Sequence, residues 1–393
     1  MIPGIAIPMA LATAWILLGL ASMARATKRP LRSPTSRIPV TVLKPLAGAD
    51  PNLEQNLRSI FEQDHPSYEV LLGVELANDP AAVVAQRVRA QYPHVPSRLV
   101  VTSGREAKNP KVRNLLGLLP HAAYDLCVIS DSNVRTPPDY LSDLVRTRER
   151  EGAGLVTSLV VGTGEQDLGS AAECAQLNGF CTPSSCLPTS VGSAAIIGKS
   201  ILFSRAELER LGGLEKVADV LAEDFVLGKM YQHAGFRLAV ASTIIENVTG
   251  QVSTSRFFAR QQRWAALRWR VAPAGFVLEG ITSPFVLLLV AVVFGGPDLV
   301  SWAVPWMLSL AIVRDLGGWL ILRGLRRAWI PLLVLPYKEA ISLAAWLTAP
   351  FARTITWRGR RLRLGAGTIL YTARSRRSSR RSFPMFERQT TTP

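Results

Sequence analysis

Three short stretches bring together side chains with which chemistry can be done. In CVISDSN, Asp131 ends an apolar run and is followed by small polar residues, which places its carboxylate at the carboxyl end of a strand. A carboxylate there can hold a divalent cation; oxygen ligands of this kind suit Mg²⁺ or Mn²⁺, and the cation can bridge a diphosphate and neutralise it. The same residue could instead cap a helix begun by Pro137 or Pro138. In LAEDFVLGKM, Glu223 and Asp224 open a helix-like run. Displacement at an anomeric carbon needs a base for the attacking hydroxyl's proton, and a partly desolvated carboxylate serves. Two acids at that position also complement a helix dipole. In RQQRWAALRW, Arg260, Arg263 and Trp264 share one side of a helix, because spacings of three and four fall on one face. An arginine fork binds phosphate oxygens, and a tryptophan can wall an acceptor pocket. Arg and Trp also belong at a bilayer surface, and both uses are compatible here.

Two further residues fit the same chemistry. Asp79, in ANDPA, could accept a hydrogen bond from a nucleobase or ribose, or start the turn before Pro80. Lys111, in KNPKVRN, could neutralise a donor phosphate, or sit solvated in a helix's first turn.

These residues need a scaffold. Apolar, β-rich runs recur at 38–44, 68–75, 97–102, 124–130 and 236–242, with helix-like stretches at 51–63, 80–92 and 110–119 between the early ones. Strands alternating with helices predict an α/β domain over 38–250, built on a mostly parallel sheet with helices on its faces. Such sheets bind ligands at the carboxyl ends of their strands, where Asp79 and Asp131 fall.

On either side the chain turns apolar. Residues 2–21 are uncharged and long enough to span a bilayer, which takes about 20 residues, and their basic residues follow the apolar run rather than precede it. That order predicts an anchor over 1–24, not a cleaved signal, and a basic linker over 25–37 on the cytosolic side. Residues 251–275 read as an interfacial helix and 276–352 as a membrane region. Within the latter, 276–297 and 299–322 are expected to form a hairpin. Residues 329–350, with Pro331, Pro336, Lys338 and Glu339, are expected to be re-entrant or interfacial. An even number of crossings would keep the arginine-rich tail, 353–393, in the cytosol, as for a bacterial inner-membrane protein.

The net charge is +16. Residues 1–37 contribute five basic residues and no acid, and 353–393 contribute eleven arginines against Glu387, so the body between carries only +1. A nucleic-acid enzyme spreads its basic residues over a working face. Charge that flanks apolar segments favours anionic lipid headgroups instead, so no nucleic-acid partner is expected. The four cysteines (Cys127, Cys174, Cys181, Cys186) form no CxxC pair and read as reduced thiols.

Taken in order, VTVLKPLAGADPNLEQNLRSIFEQDHPSYEVLLGVE, Asp79, NPK, SDS, AED and RxxRW resemble the ceramide glucosyltransferases and their bacterial relatives. These include hopanoid-type lipid glycosyltransferases, within the inverting GT-A glycosyltransferases. The likeness covers residues 38–270. It implies a GT-A fold, a Rossmann-like mixed sheet with helices on both faces, and glucose transfer from UDP-glucose to the primary hydroxyl of ceramide. It also implies roles: Asp79 on the uridine, Asp131 on the metal, Asp224 as base, and Arg260, Arg263 and Trp264 closing around diphosphate and acceptor. Asp131 is followed by Ser132 and Asn133, not by the Asp–x–Asp of many superfamily members. Other readings are a hopanoid or other lipid alcohol as acceptor, UDP-N-acetylglucosamine as donor, or a non-catalytic lipid-binding scaffold.

Overall fold

The computed structural model describes residues 3–28, 36–193 apart from 49, 51 and 191, and 196–372 apart from 282, 295, 358 and 359. Most of the basic linker and the tail beyond 372 lie outside the described residues.

After the helix α1 (Pro3–Thr27) the chain alternates β1 (Val40–Pro45), α2 (Leu53–Phe61), β2 (Tyr68–Val74), α3 (Pro80–Gln91), β3 (Ser97–Val101), α4 (Pro110–Leu118) and β4 (Leu126–Ser130). Then come β5 (Val134–Arg135), α5 (Tyr140–Glu151), β6 (Ala153–Glu165), α6 (Leu168–Gln176), α7 (Thr182–Ser190), β7 (Ser200–Ser204), α8 (Arg205–Arg210), α9 (Glu223–His233) and β8 (Arg237–Gly250). The strands form one sheet in the order β3-β2-β1-β4-β7-β6-β8-β5. Pairing is parallel from β3 to β4 and between β6 and β8, and antiparallel where β7 joins β4 to β6 and where β5 joins β8. The sheet is therefore mixed rather than mostly parallel.

β1 is buried along its whole length. Alternate residues serve opposite faces: Val40 and Val42 pack with Leu57, Val70 and Leu144, while Leu43 packs with Leu71, Leu115 and Phe203. A strand covered on both faces is largely apolar; the exceptions are Thr41, whose hydroxyl donates to Glu69 at 2.7 Å, and Lys44, near the carboxyl end. Two helices are fixed at that edge by their caps. Asp79 accepts from the backbone of Ala81 at 2.8 Å, and Asn109 from Lys111 and Val112 at 2.9 and 3.1 Å. In both, a proline occupies the first helical position, where its missing N–H costs nothing.

Beyond the sheet run α10 (Thr254–Val271), α11 (Pro273–Ile281), α12 (Pro284–Phe294), α13 (Gly296–Arg323) and α14 (Ile330–Thr348). Among the described residues, three helical stretches are long and apolar enough to cross a membrane: Ala6–Thr27, Leu299–Arg323 and Ile330–Phe351. α11 and α12 together pass that test but meet at a bend of 59°. This reverses the expected assignment of the C-terminal segments. The broken segment is the first apolar one, and 330–348 is an unbroken helix despite Pro336.

Charge is tolerated in α13 and α14 because it is paired across them. Lys338 lies 2.7 Å from both Asp315 and Glu339, and Arg314 lies 2.8 Å from Asp315 and also meets Glu339. α13 is pressed against the π-helical turn 177–181 that follows α6. A Cβ on Gly318 would stand 2.3 Å from the carbonyl oxygen of Asn178, so only glycine allows that approach.

The stretch expected to be the start of an arginine-rich tail is folded. β9 (Thr354–Trp357), β10 (Arg360–Leu364) and β11 (Leu370–Thr372) form a second, antiparallel sheet. Leu362 and Leu364, which alternate with Arg361 and Arg363, and Leu370 pack with Leu221, Ala265 and Phe276. The sheet is tied to the loop before α9: Leu370 N–H donates to Asp219 O at 2.7 Å and Leu221 N–H to Thr368 O at 2.9 Å. Residues 354–372 therefore lie on the same side of any membrane as the large sheet. An even number of crossings would then separate 250 from 354, and α13 and α14 are two candidate spans for them.

Candidate active site

The carboxyl ends of β1 and β4 and the amino end of β7 meet at one point. The register that pairs β7 with β4 sets Ser200 opposite Ser130, and so brings Lys199 beside Asp131. Lys111 reaches in from the first turn of α4, and Glu223 and Asp224 from the first turn of α9.

Asp131 has an ammonium group on each oxygen: Lys111 Nζ is 3.0 Å from Oδ1 and Lys199 Nζ 3.1 Å from Oδ2. Lys111 also lies 3.1 Å from Glu223 Oε1 and donates to Gly198 O at 2.6 Å. Glu223 Oε2 accepts from the side-chain amide of Asn109 at 3.2 Å. Asp224 is held differently, among the described residues by backbone N–H groups alone: Gly198 donates to Oδ2 and Phe225 to Oδ1, each at 2.8 Å. A Cβ on Gly198 would come within 2.7 Å of Asp224 Oδ2. Beneath them, Lys44 is fully buried and donates to Ser130 Oγ and Val134 O, both at 3.1 Å.

Burial and neighbours push these groups apart. Burial would raise the Asp131 carboxyl, but Lys111 and Lys199 outweigh it and hold the group well below the usual carboxylate range. For Asp224, burial and the adjacent Glu223 raise the pKa to about 6, against the pull of Lys111. Burial lowers Lys44 to about 7, opposed by Asp131. Burial would also lower Lys111, yet Asp131, Glu223 and Asp224 raise it above an ordinary lysine. At neutral pH the site therefore holds an anion in Asp131, a cation in Lys111, and in Asp224 a carboxylate more basic than usual.

Asp79 stands one strand away, at the end of β2. Its Oδ1 accepts from Ala81 and, at 2.9 Å, from Gly48 in the loop after β1, so it caps α3 and pins that loop at once. Arg260, Arg263 and Trp264 follow one another on α10, as their spacing predicts. Arg260 forms an ion pair with the buried Glu173 of α6. Its pKa falls to about 10 through burial and the charge of Arg263, opposed by Asp50. Asp50 in turn accepts from Ser132 Oγ at 2.6 Å. The arginine motif thus reaches the Asp131 loop through Asp50.

Sequence reasoning missed Lys199 and Lys44. Lys199 becomes relevant only through the antiparallel β4–β7 pairing. The one sign for Lys44 was a lysine near the end of a largely apolar strand.

A divalent cation fits Asp131. Among the described residues no three His, Cys, Asp or Glu side chains form a ligand group. Mg²⁺ is commonly held by one or two carboxylates together with substrate phosphates and water. The donor set here is of that kind, a hard carboxylate at a strand end that already attracts two positive charges.

The model of glycosyl transferase family 21 matches residues 5–370. The chain belongs to that family. This family 21 member is 26% identical over 344 residues to ceramide glucosyltransferase 1 of Caenorhabditis elegans, covering 86% of this chain and 74% of the relative. To ceramide glucosyltransferase 3 of the same organism it is 27% identical over 256 residues, covering 63% of this chain and 54% of the relative. Its fold is similar to that of a mannosyltransferase from Pyrobaculum calidifontis, solved in complex with GDP-mannose and Mn²⁺. That similarity has a TM-score of 0.53 at 22% identity and covers 89% of this chain and 99% of the other. The family 21 member is therefore a glycosyltransferase with a GT-A fold and candidate membrane-spanning helices.

Proposed function

We propose that this family 21 glycosyltransferase transfers glucose from UDP-glucose to the primary hydroxyl of ceramide, with inversion, on the cytosolic side of its membrane. One observation carries the reading: Asp224 is the only carboxylate of the cluster left without a cationic partner within ion-pair distance among the described residues. Asp131 is held well below the usual carboxylate range by Lys111 and Lys199 and so is a poor proton acceptor, and Glu223 is paired with Lys111. Asp224, fixed by two backbone donors and raised to about 6, is aimed, basic and ionised at neutral pH, as a general base must be.

In this mechanism Asp79 holds the uridine, and Lys111 binds the diphosphate. A divalent cation, when bound at Asp131, supplies positive charge against the leaving diphosphate. The ceramide hydroxyl approaches C1 of glucose from the face opposite UDP. Asp224 takes its proton as the new C1–O bond forms, and the bond from C1 to the diphosphate breaks with its electron pair leaving on UDP. Arg260, Arg263 and Trp264 close the site over diphosphate and acceptor, and holding both reactants in line supplies much of the acceleration. The bent α11–α12 pair and the α13–α14 hairpin, both adjoining α10, bring the lipid to the site.

The test is mass spectrometry of lipids after membranes containing the protein are incubated with ceramide, Mg²⁺ and UDP-glucose, beside an Asp224→Asn control. A β-linked hexosylceramide formed only by the intact enzyme is the expected result. Product only from another lipid alcohol, such as a hopanoid, or only from UDP-N-acetylglucosamine, would replace the substrates named here. An α-linked product would rule out inversion.

A further inference from the structure

We infer that Lys199 is a ligand of the donor's diphosphate, passed from Asp131 to the phosphate oxygens when the donor binds. This rests on the reading of the cluster as a nucleotide-sugar site.

The geometry at Asp131 sets up an exchange. Each carboxylate oxygen carries one lysine, so both ammonium charges are already spent on Asp131, and a phosphate oxygen that entered would compete with it for them. The two lysines are not equally tied. Lys111 keeps Glu223 at 3.1 Å and the carbonyl of Gly198 at 2.6 Å if it loses Asp131. Lys199 keeps, among the described residues, the side-chain amide oxygen of Asn133 at 2.9 Å and no second carboxylate. It is also the more open of the two, with its side chain 23% exposed against 14% for Lys111. Lys199 is therefore the group with less to lose, and it sits nearer the mouth of the site.

A diphosphate entering this site brings more negative charge than the two paired lysines leave uncompensated. An ammonium on a flexible four-carbon stem answers that demand, binding phosphate as a point charge. Asn133 supports the assignment. It stands two residues after Asp131, where a second aspartate would give a metal another ligand; being neutral, it instead positions the lysine, and is itself braced by Asn247 at 2.8 Å. In this chain the second charge at the diphosphate is thus organic, supplied from β7.

The experiment is calorimetric titration of the full-length, detergent-solubilised protein with UDP and, separately, with uridine, in Mg²⁺. Lys199→Met is expected to weaken UDP binding about tenfold or more, as loss of a charge-assisted contact does, while leaving uridine binding unchanged. Lys199→Arg should recover most of the UDP affinity. Equal UDP affinity in Lys199→Met and the unaltered protein would overturn the inference and leave the donor reading standing. A parallel loss of UDP and uridine binding would also overturn it, because the residue would then shape the pocket rather than hold phosphate. Failure of the unaltered protein to bind UDP would remove the nucleotide-sugar reading itself, and the inference with it.

Discussion

Two buried charge clusters occupy this molecule, and they are built on opposite plans. Between α13 and α14, Arg314 and Lys338 face Asp315 and Glu339, and each charge meets two of opposite sign. At the sheet's edge, Lys111 and Lys199 share Asp131, Glu223 holds Lys111, and Asp224 has only backbone donors. The first cluster is closed: every charge is answered from within, and nothing is gained by adding a ligand. The second is open, with one carboxylate short of a cation and one carrying two. A closed cluster holds helices together. An open one is left ready for a proton and an anion.

Removing the unpaired carboxylate gives the largest expected effect. Asp224→Asn keeps the shape and one of the two acceptor oxygens but cannot take a proton, so kcat should fall about 10²–10⁴-fold, the usual worth of a general base. In stability two terms oppose each other at pH 7: a buried carboxylate beside Glu223 is replaced by a neutral group, and the new amide turns a donor toward one of the backbone N–H groups of Gly198 and Phe225. A variant that turned over normally would show that the open cluster is not the reacting one.

The closed cluster should respond in stability instead. Lys338→Met leaves Asp315 and Glu339 to share Arg314, and breaking a buried pair in this way costs about 3–5 kcal/mol. Melting in detergent should show a large loss for Lys338→Met, with part of it restored in Lys338→Met plus Asp315→Asn, while kcat per folded molecule stays near normal. If kcat fell and melting did not, the contrast between the two clusters would have to be redrawn.

What could be read from the sequence divides along similar lines. Asp131 and Asp224 stand at the ends of elements, and the Arg260–Trp264 stretch within one, whose periodicity is local, so type and spacing sufficed to locate them on those elements. The strands β1 to β4 and the helices between them were legible for the same reason. β6 and β7 were not, because apolar runs such as GLVTSLVV and SILFS have no flanking pattern that tells their partners. The neighbours of β7 are decided by long-range pairing, and Lys199 was hidden with it. The tail strands β9–β11 were masked by their arginines, which alternate with the buried Leu362 and Leu364 and made a half-buried strand read as a basic extension. Pro336 misled in the other direction. Lys338 and Glu339 next to it suggested a broken segment, but the cross-helix pairs to Arg314 and Asp315 satisfy them and α14 continues.

A smaller effect is expected from the geometry that aims the open cluster. Gly198 donates its N–H to Asp224 and leaves room for nothing larger, since an added Cβ would lie 2.7 Å from Oδ2. Gly198→Ala must shift either the loop or the carboxylate, and a displacement of that order at a reacting group costs up to about a hundredfold in rate. The loss should appear in kcat more than in the KM for the donor. A loss confined to KM would mean that the loop serves the sugar nucleotide and not the base.

Finally, acidity should reach the open cluster in the working range. The folded-state pKa of Asp224, about 6, lies above the ordinary aspartate value near 3.9, so the folded protein binds this proton more tightly than the unfolded chain does. Two consequences have opposite signs. Activity requires the ionised form, so kcat should be level above pH 7 and fall about tenfold per pH unit below about pH 6. Stability goes the other way: the penalty for an ionised Asp224 is full above about pH 6 and disappears as pH falls toward the unfolded-state value. The stability of Asp224→Asn relative to the unaltered protein should therefore be highest at pH 7 and decline toward pH 4. A kcat profile flat to pH 5 would mean that Asp224 stays ionised despite its burial, and that Lys111 dominates Glu223 in setting its charge.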